Sequence, residues 1–183
     1  VSIPSVTPTG TIYLQTEDGR FYAINPDGTE KWRFSWPSRK SIPNAAIATD
    51  GGVFYGRSGT VYRVNASEGT DEAWSRLGVL RVGRRGLVSI GAEQVLYAPG
   101  PVQSDYYTDG LYAVDASDGE VLWSVALGAS FKNSAAPAAD GSVYVAAGRK
   151  LYWISAEGEI QWQFQLAEDD VSGVAVRGPV LGE

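Results

Sequence analysis

Apolar and polar positions alternate in short bursts along the chain, and the bursts come in pairs joined by glycine turns. The clearest pair runs Leu111-Tyr112-Ala113-Val114-Asp115, then Ala116-Ser117-Asp118-Gly119, then Glu120-Val121-Leu122-Trp123. A period of two over so few residues predicts half-buried strands, and the Asp-Gly predicts a tight turn between them. The pattern recurs from Phe21 through Asp27-Gly28 to Trp32, from Val61 through Glu68-Gly69 to Trp74, and from Leu151 through Glu157-Gly158 to Trp162. Before each copy stands another short strand: Ile12-Tyr13-Leu14, Val53-Phe54-Tyr55, Val95-Leu96-Tyr97 and Val143-Tyr144-Val145. Before those come small-residue segments, within Val1–Thr9 and Ser41–Asp50, at Leu87–Ile90 and at Ala135–Ala138. Thr9-Gly10, Asp50-Gly51, Glu93-Gln94 and Asp140-Gly141 link the first two strands, and Asp-Gly there suits a two-residue hairpin with positive φ.

A repeat of roughly 40 residues built only of short strands predicts an all-β fold, a β-propeller of four-stranded antiparallel blades. Small residues suit the innermost strands, which crowd around the axis, and large aromatics suit the wedges between sheets. The blades fall at about 1–36, 37–80, 81–128 and 129–168 of a single partial propeller spanning 1–183. Residues 169–183 read as a fifth-blade remnant, with Val171–Val176 as its innermost strand. Four blades and a remnant suggest part of a larger ring, or a half-ring whose open blade edges pair in a homodimer. A closed four-bladed ring is the competing arrangement.

Composition narrows the chemistry. The 183 residues include no Cys and no His. That excludes disulfides, thiol nucleophiles, Cys or His zinc sites and a Ser-His-Asp triad within the chain. A net charge of -6 argues against nucleic acid as a partner. No apolar run approaches the roughly 18 residues of a membrane-spanning helix, so direct membrane insertion is not expected.

Ala113, Asp115, Gly119 and Trp123 carry the spacing A-x-D-x-x-x-G-x-x-x-W, which resembles the tryptophan-docking motif of pyrroloquinoline-quinone (PQQ) repeat propellers. Ala23, Asn25, Gly28 and Trp32 fit with one residue deleted before the Gly. Asn65, Gly69 and Trp74 fit with one inserted before the Trp, and Arg63 takes the Ala position. Ser155, Gly158 and Trp162 fit with Trp153 at that position. The resemblance implies that Trp32, Trp74, Trp123 and Trp162 are structural, each indole docking on the next blade. It also implies one of two functional kinds. Non-catalytic members include an outer-membrane assembly lipoprotein and sensor domains attached to kinases. The others are quinoprotein dehydrogenases, which hold PQQ and a metal ion in the channel. The chain lacks the adjacent cysteine pair typical of many dehydrogenases and shows no clear set of channel carboxylates. The expectation is therefore a protein-binding scaffold or sensor module with no cofactor and no catalytic residues. Its compartment, by resemblance, is extracytoplasmic, either periplasmic or cell-surface. A fragment of a quinoprotein oxidoreductase using PQQ with calcium is the alternative.

Propeller connectivity sorts the loops onto two faces. The second-to-third strand loops and the blade connections would carry Arg20, Arg39, Lys40, Arg57, Arg81, Arg84, Arg85, Lys132, Arg149 and Lys150. The opposite turns would carry most of the carboxylates, Asp27, Asp50, Asp118, Asp140 and Glu157 among them. A basic face suits an acidic protein or peptide partner. The segment Ala98–Gly110 is longer than its counterparts and bears Tyr106 and Tyr107, stiff amphipathic contact residues. Candidate partner-binding residues are Arg81, Arg84, Arg85, Tyr106, Tyr107 and Lys132. Asp105 and Asp109 have the oxygen chemistry of calcium ligands, and Asp169-Asp170 that of a coupled acid pair. Exposed loop carboxylates are the plainer account of both pairs, and no metal site is expected.

Overall fold

The fold described here comes from a computed structural model, which describes residues 4–16, 18, 20–35, 45–57, 60–64, 71–72, 88–103, 109–129 and 134–166. They form four four-stranded sheets, each a simple meander. The first comprises β1 (Ser5–Val6), β2 (Ile12–Gln15), β3 (Arg20–Ile24) and β4 (Glu30–Ser35). The second comprises β5 (Ala46–Ile47), β6 (Val53–Arg57), β7 (Thr60–Val64) and β8 (Asp71–Glu72). The third comprises β9 (Ser89–Ile90), β10 (Val95–Gly100), β11 (Gly110–Asp115) and β12 (Val121–Ala126). The fourth comprises β13 (Ala136–Pro137), β14 (Val143–Ala147), β15 (Lys150–Ile154) and β16 (Ile160–Gln165). Every neighbouring pair is antiparallel. The only helical element among the described residues is a 3-10 turn at Ala92–Gln94. The fold is an all-β propeller of four-stranded antiparallel blades. The fifth innermost strand expected at Val171–Val176, and Trp74, lie outside the described residues.

The innermost strands are neighbours around the axis, β1 beside β5, β5 beside β9 and β9 beside β13. Three buried clusters fill the seams between consecutive sheets. Tyr13, Phe21, Ala23 and Trp32 of the first sheet meet Val53, Tyr55 and Val64 of the second. Phe54 and Val61 of the second meet Leu96, Tyr112 and Val114 of the third. Tyr97, Leu111 and Ala113 of the third meet Val143, Val145, Tyr152 and Ile154 of the fourth. Alternation within β6 explains this directly. Val53 and Tyr55 face one seam and Phe54 the other, so both faces of a blade are apolar. Burying each such side chain contributes about 1.5–3 kcal/mol, which makes the seams the chief source of stability.

The turns are built otherwise than a two-residue hairpin. At the first turn, Gly10 N–H donates to Thr7 O and Thr7 N–H donates to Thr11 O. Gly51 and Gly141 repeat this with Ala48 and Ala138. Only the glycine has positive φ, 83° at Gly10, 85° at Gly51 and 82° at Gly141, while the preceding Thr9, Asp50 and Asp140 do not. These are three-residue loops closed by one left-handed glycine. The Asp contributes through its side chain instead: Asp50 Oδ1 accepts Gly52 N–H, and Asp140 Oδ1 accepts both Ser142 N–H and its hydroxyl. The third sheet departs from the pattern. Its link runs through Glu93 and Gln94 at φ 52° and 62°, left-handed without a glycine.

The motif tryptophans sit opposite the motif alanines, Trp32 across from Ala23 and Trp123 across from Ala113. A register shift follows at once in the first, third and fourth sheets, after Ala23, Ala113 and Trp153. Trp123 reaches the next sheet: its Nε1–H donates to Ala156 O at 2.7 Å. A Cβ built on Gly158 would lie 2.7 Å from Trp123 ring carbons, so the motif glycine is where that indole lands. Trp32 is buried in the first seam. Trp162 is 39% exposed, and its ring partners are Tyr144 and Trp153 of its own sheet.

Candidate binding face

Antiparallel meanders alternate their ends. The β2–β3, β6–β7, β10–β11 and β14–β15 loops therefore share one face with the connections between sheets. Of the candidate partner-binding residues, Arg81, Arg84, Arg85, Tyr106, Tyr107 and Lys132 lie outside the described residues, as do Arg39, Lys40, Asp105, Asp169 and Asp170. Arg57 closes β6, and Arg20 opens β3 with Asp18 at 3.3 Å. The Asp18 carboxyl is held below its ordinary range, first by the Thr16 hydroxyl and then by Arg20. Arg149 and Lys150 are placed by the β14–β15 turn.

The base of the long insertion is described, and it accounts for Asp109. The Asp109 carboxylate accepts Val102 N–H at 2.6 Å and Gln103 N–H at 3.3 Å. Tyr112 OH donates to Pro101 O at 2.7 Å, turning the chain back over β11. Gly110 permits the closure, because a Cβ there would strike Val125 O and Val102. Asp109 thus fastens a loop, a role the calcium-ligand spacing did not suggest. Among the described residues no three carboxylates converge on a point that could hold a metal ion.

One residue, Leu127, connects the base of this insertion to the fourth sheet. Leu127 N–H donates to Asp109 O at 2.7 Å, and Leu127 O accepts Tyr152 OH at 2.9 Å. Burial raises the Tyr152 hydroxyl above its usual range, and it donates to Leu127 O. Beside Leu127 opens a cleft of about 350 Å³ between the β12–β13 connection and the β14–β15 turn. Its floor is Leu127, Ala147 and Tyr152, all buried. Arg149, Lys150 and Gln165 are the polar side chains among its described lining residues. Two left-handed glycines shape the walls, Gly128 at φ 65° and Gly148 at φ 60°. A Cβ on Gly148 would stand 2.7 Å from Ala129, so the walls touch at that residue. Leu166 N–H donates to Arg149 O at 2.8 Å, and Lys150 Nζ to Gln163 Oε1 at 3.2 Å. The cleft was not legible in sequence as a site. Arg149 and Lys150 are visible as charges on the correct face; Gln165 joins them by pairing opposite Lys150 within the fourth sheet, and Leu127 only through sheet-to-sheet packing.

A family model described as outer membrane protein assembly factor BamB matches residues 57–181. No curated protein sequence matches the chain. Among solved structures, virginiamycin B lyase from Staphylococcus aureus is similar at 14% identity and a TM-score of 0.69. That similarity covers 88% of this chain and 54% of the lyase. A Bacteroides caccae protein of unknown function is 22% identical with a TM-score of 0.59, over 94% of this chain and 62% of its own. Quinohemoprotein alcohol dehydrogenase from Comamonas testosteroni is 14% identical with a TM-score of 0.69, over 90% of this chain and 34% of its own. At such identities the likeness shows the fold alone, and it is shared by enzymes. The chain spans little more than half the length of the lyase.

Proposed function

Because this chain belongs to the PQQ-like repeat propeller family described as outer membrane protein assembly factor BamB, we propose that it is a non-catalytic, extracytoplasmic protein-binding propeller. The family match over residues 57–181 is the observation that carries this reading. Its binding face is the loop-rich one, around Arg81, Arg84, Arg85, Tyr106, Tyr107 and Lys132, and its partner is an acidic protein or peptide. The insertion fastened by Asp109 lies on that face. The same scaffold suits a sensor module.

The alternative, a quinoprotein oxidoreductase fragment holding PQQ with calcium, we rank second. Asp27, Asp115 and Asp140 each engage their Oδ1 with an N–H group of their own turn. No acidic cluster gathers among the described residues. The R84E/R85E double variant tests the proposal against candidate partners at two salt concentrations. Binding should weaken at least tenfold and lose much of its salt dependence. Unchanged affinity and unchanged salt dependence would reject the basic face.

The apolar rows of the fourth sheet favour self-association as well. Trp162 and Phe164 point to one side of β16 and are 39% and 60% exposed. We therefore add a homodimer through open blade edges, which light scattering on the 183-residue chain decides: a strict monomer at high concentration removes it.

A further inference from the structure

The geometry points to a seam between two copies of this chain, with the outer face of the fourth sheet of one packed on the back of the first sheet of the other. The inference rests on the self-association reading above and names the surfaces that meet. The first and third seams are each built from two unlike faces. One face carries a cross-strand row ending in an indole, Tyr13, Ala23 and Trp32 in the first sheet and Tyr97, Ala113 and Trp123 in the third. The other face is made of aliphatic residues and tyrosine. In the fourth sheet Val143 pairs with Ile154 and Val145 with Tyr152, and all four are buried against the third sheet.

Among the described residues, each kind of face recurs once more with no sheet against it. The fourth sheet repeats the indole row as Tyr144, Trp153 and Trp162, and Phe164 lies on the same side opposite Leu151. Trp162 and Phe164 are the exposed end of that face. The first sheet repeats the receiving face, with Ile12 opposite Ile24 and Leu14 opposite Tyr22, and all four are only half-buried. Alternation turns them away from the first seam, which Tyr13, Phe21 and Ala23 occupy.

The seat for the indole agrees. Ser155 N–H donates to Glu159 O and Gly158 N–H to Ser155 O; Asn25 N–H donates to Thr29 O and Gly28 N–H to Asn25 O. The two turns are therefore the same, with the glycines at φ 87° and 85°. Trp123 fills the seat at Gly158 and bonds Ala156 O. The seat at Gly28 is open, and Pro26 O is the equivalent of Ala156 O. One chain thus holds both an exposed indole and an empty seat, which makes a second copy the fitting occupant of each. Trp162 of one copy docks at Gly28 of the other, and an identical second seam returns to the first, closing two chains into one ring.

Light scattering on the full chain at rising concentration should show twice the mass of one chain. Trp162→Ser and Leu14→Gln each remove an anchor from one face and should raise the dimer dissociation constant at least about tenfold, with unchanged circular dichroism. Gly28→Ala should weaken the dimer likewise, although in dilute single chains it costs only backbone strain. Cross-linking then reports which faces meet. The chain has no Cys, so a short bismaleimide joins only introduced thiols. Pro26→Cys and Gln161→Cys alter exposed positions beside the seat and beside Trp162, and leave the seams within the chain intact. A mixture of these two variants should link into dimers, and neither should link alone. A monomer at every concentration overturns the seam and the self-association reading together, leaving both faces to another protein. A dimer unmoved by Trp162→Ser and Leu14→Gln, or one in which Gln161→Cys links to itself, overturns the seam and leaves the homodimer standing.

Discussion

Gly28 and Gly158 offer a controlled measurement of what indole docking is worth. Both close the third turn of a sheet with nearly the same backbone, φ 85° and 87°. A methyl group on Gly28 would meet nothing within 4 Å, while one on Gly158 would lie 2.7 Å from Trp123. Gly28→Ala should therefore cost only the strain of a left-handed alanine, about 1–2 kcal/mol. Gly158→Ala bears the same strain and must also displace the Trp123 ring. It loosens the bond from Trp123 Nε1 to Ala156 O, a bond worth about 0.5–1.5 kcal/mol. Disturbed packing adds to this, so the second variant should lose about 1–3 kcal/mol more than the first. For a chain of this length each kcal/mol moves the midpoint by about 2–4 °C. Thermal unfolding followed by circular dichroism should thus separate the two variants by about 2–12 °C. Repeating Gly158→Ala in a Trp123→Val background isolates the contact, because the extra penalty should vanish there. Equal losses in the two single variants, or an extra penalty that survives without the indole, would show that the tryptophan does not dock on this glycine.

Other seams and loops give further tests. Tyr97→Phe removes the hydroxyl that donates to Gly141 O at 3.0 Å across the third seam, and urea unfolding should show a loss of about 1–2 kcal/mol. Asp109→Ala frees Val102 N–H and Gln103 N–H, so limited proteolysis should begin within 101–109 while the far-ultraviolet spectrum is unchanged. The carboxyls of Asp27, Asp115 and Asp140 are held below the ordinary range, first by hydroxyls of Thr29, Ser117 and Ser142. Lowered native values stabilise the fold above the unfolded aspartate range and cease to do so as pH falls through the native values. The urea midpoint should accordingly be level near neutrality and fall in strongly acidic buffer, with a smaller fall in Asp115→Asn. A midpoint independent of acid would remove these turns from the account of stability.

The amino-acid sequence by itself determined the blades. Period-two alternation, a glycine at most turns and an aromatic toward each fourth strand are local signals, and they suffice for strand order and the propeller class. The positions of Trp32 and Trp123 opposite Ala23 and Ala113 follow from the same spacing. What only the tertiary structure decided involves partners distant along the chain. That Trp123 lands on Ala156 and Gly158 depends on how one sheet leans on the next. Asp109 reads in sequence as an exposed loop carboxylate, because the sequence does not show the two N–H groups that it accepts. The three-residue turns escaped the Asp-Gly rule because that dipeptide fits two loop lengths, and pairing on either side selects between them. The cleft beneath Arg149 and Lys150 exists because Leu127 is held from both sides by residues 18 and 25 positions away. Alternation is written in neighbours, whereas a pocket is written in packing.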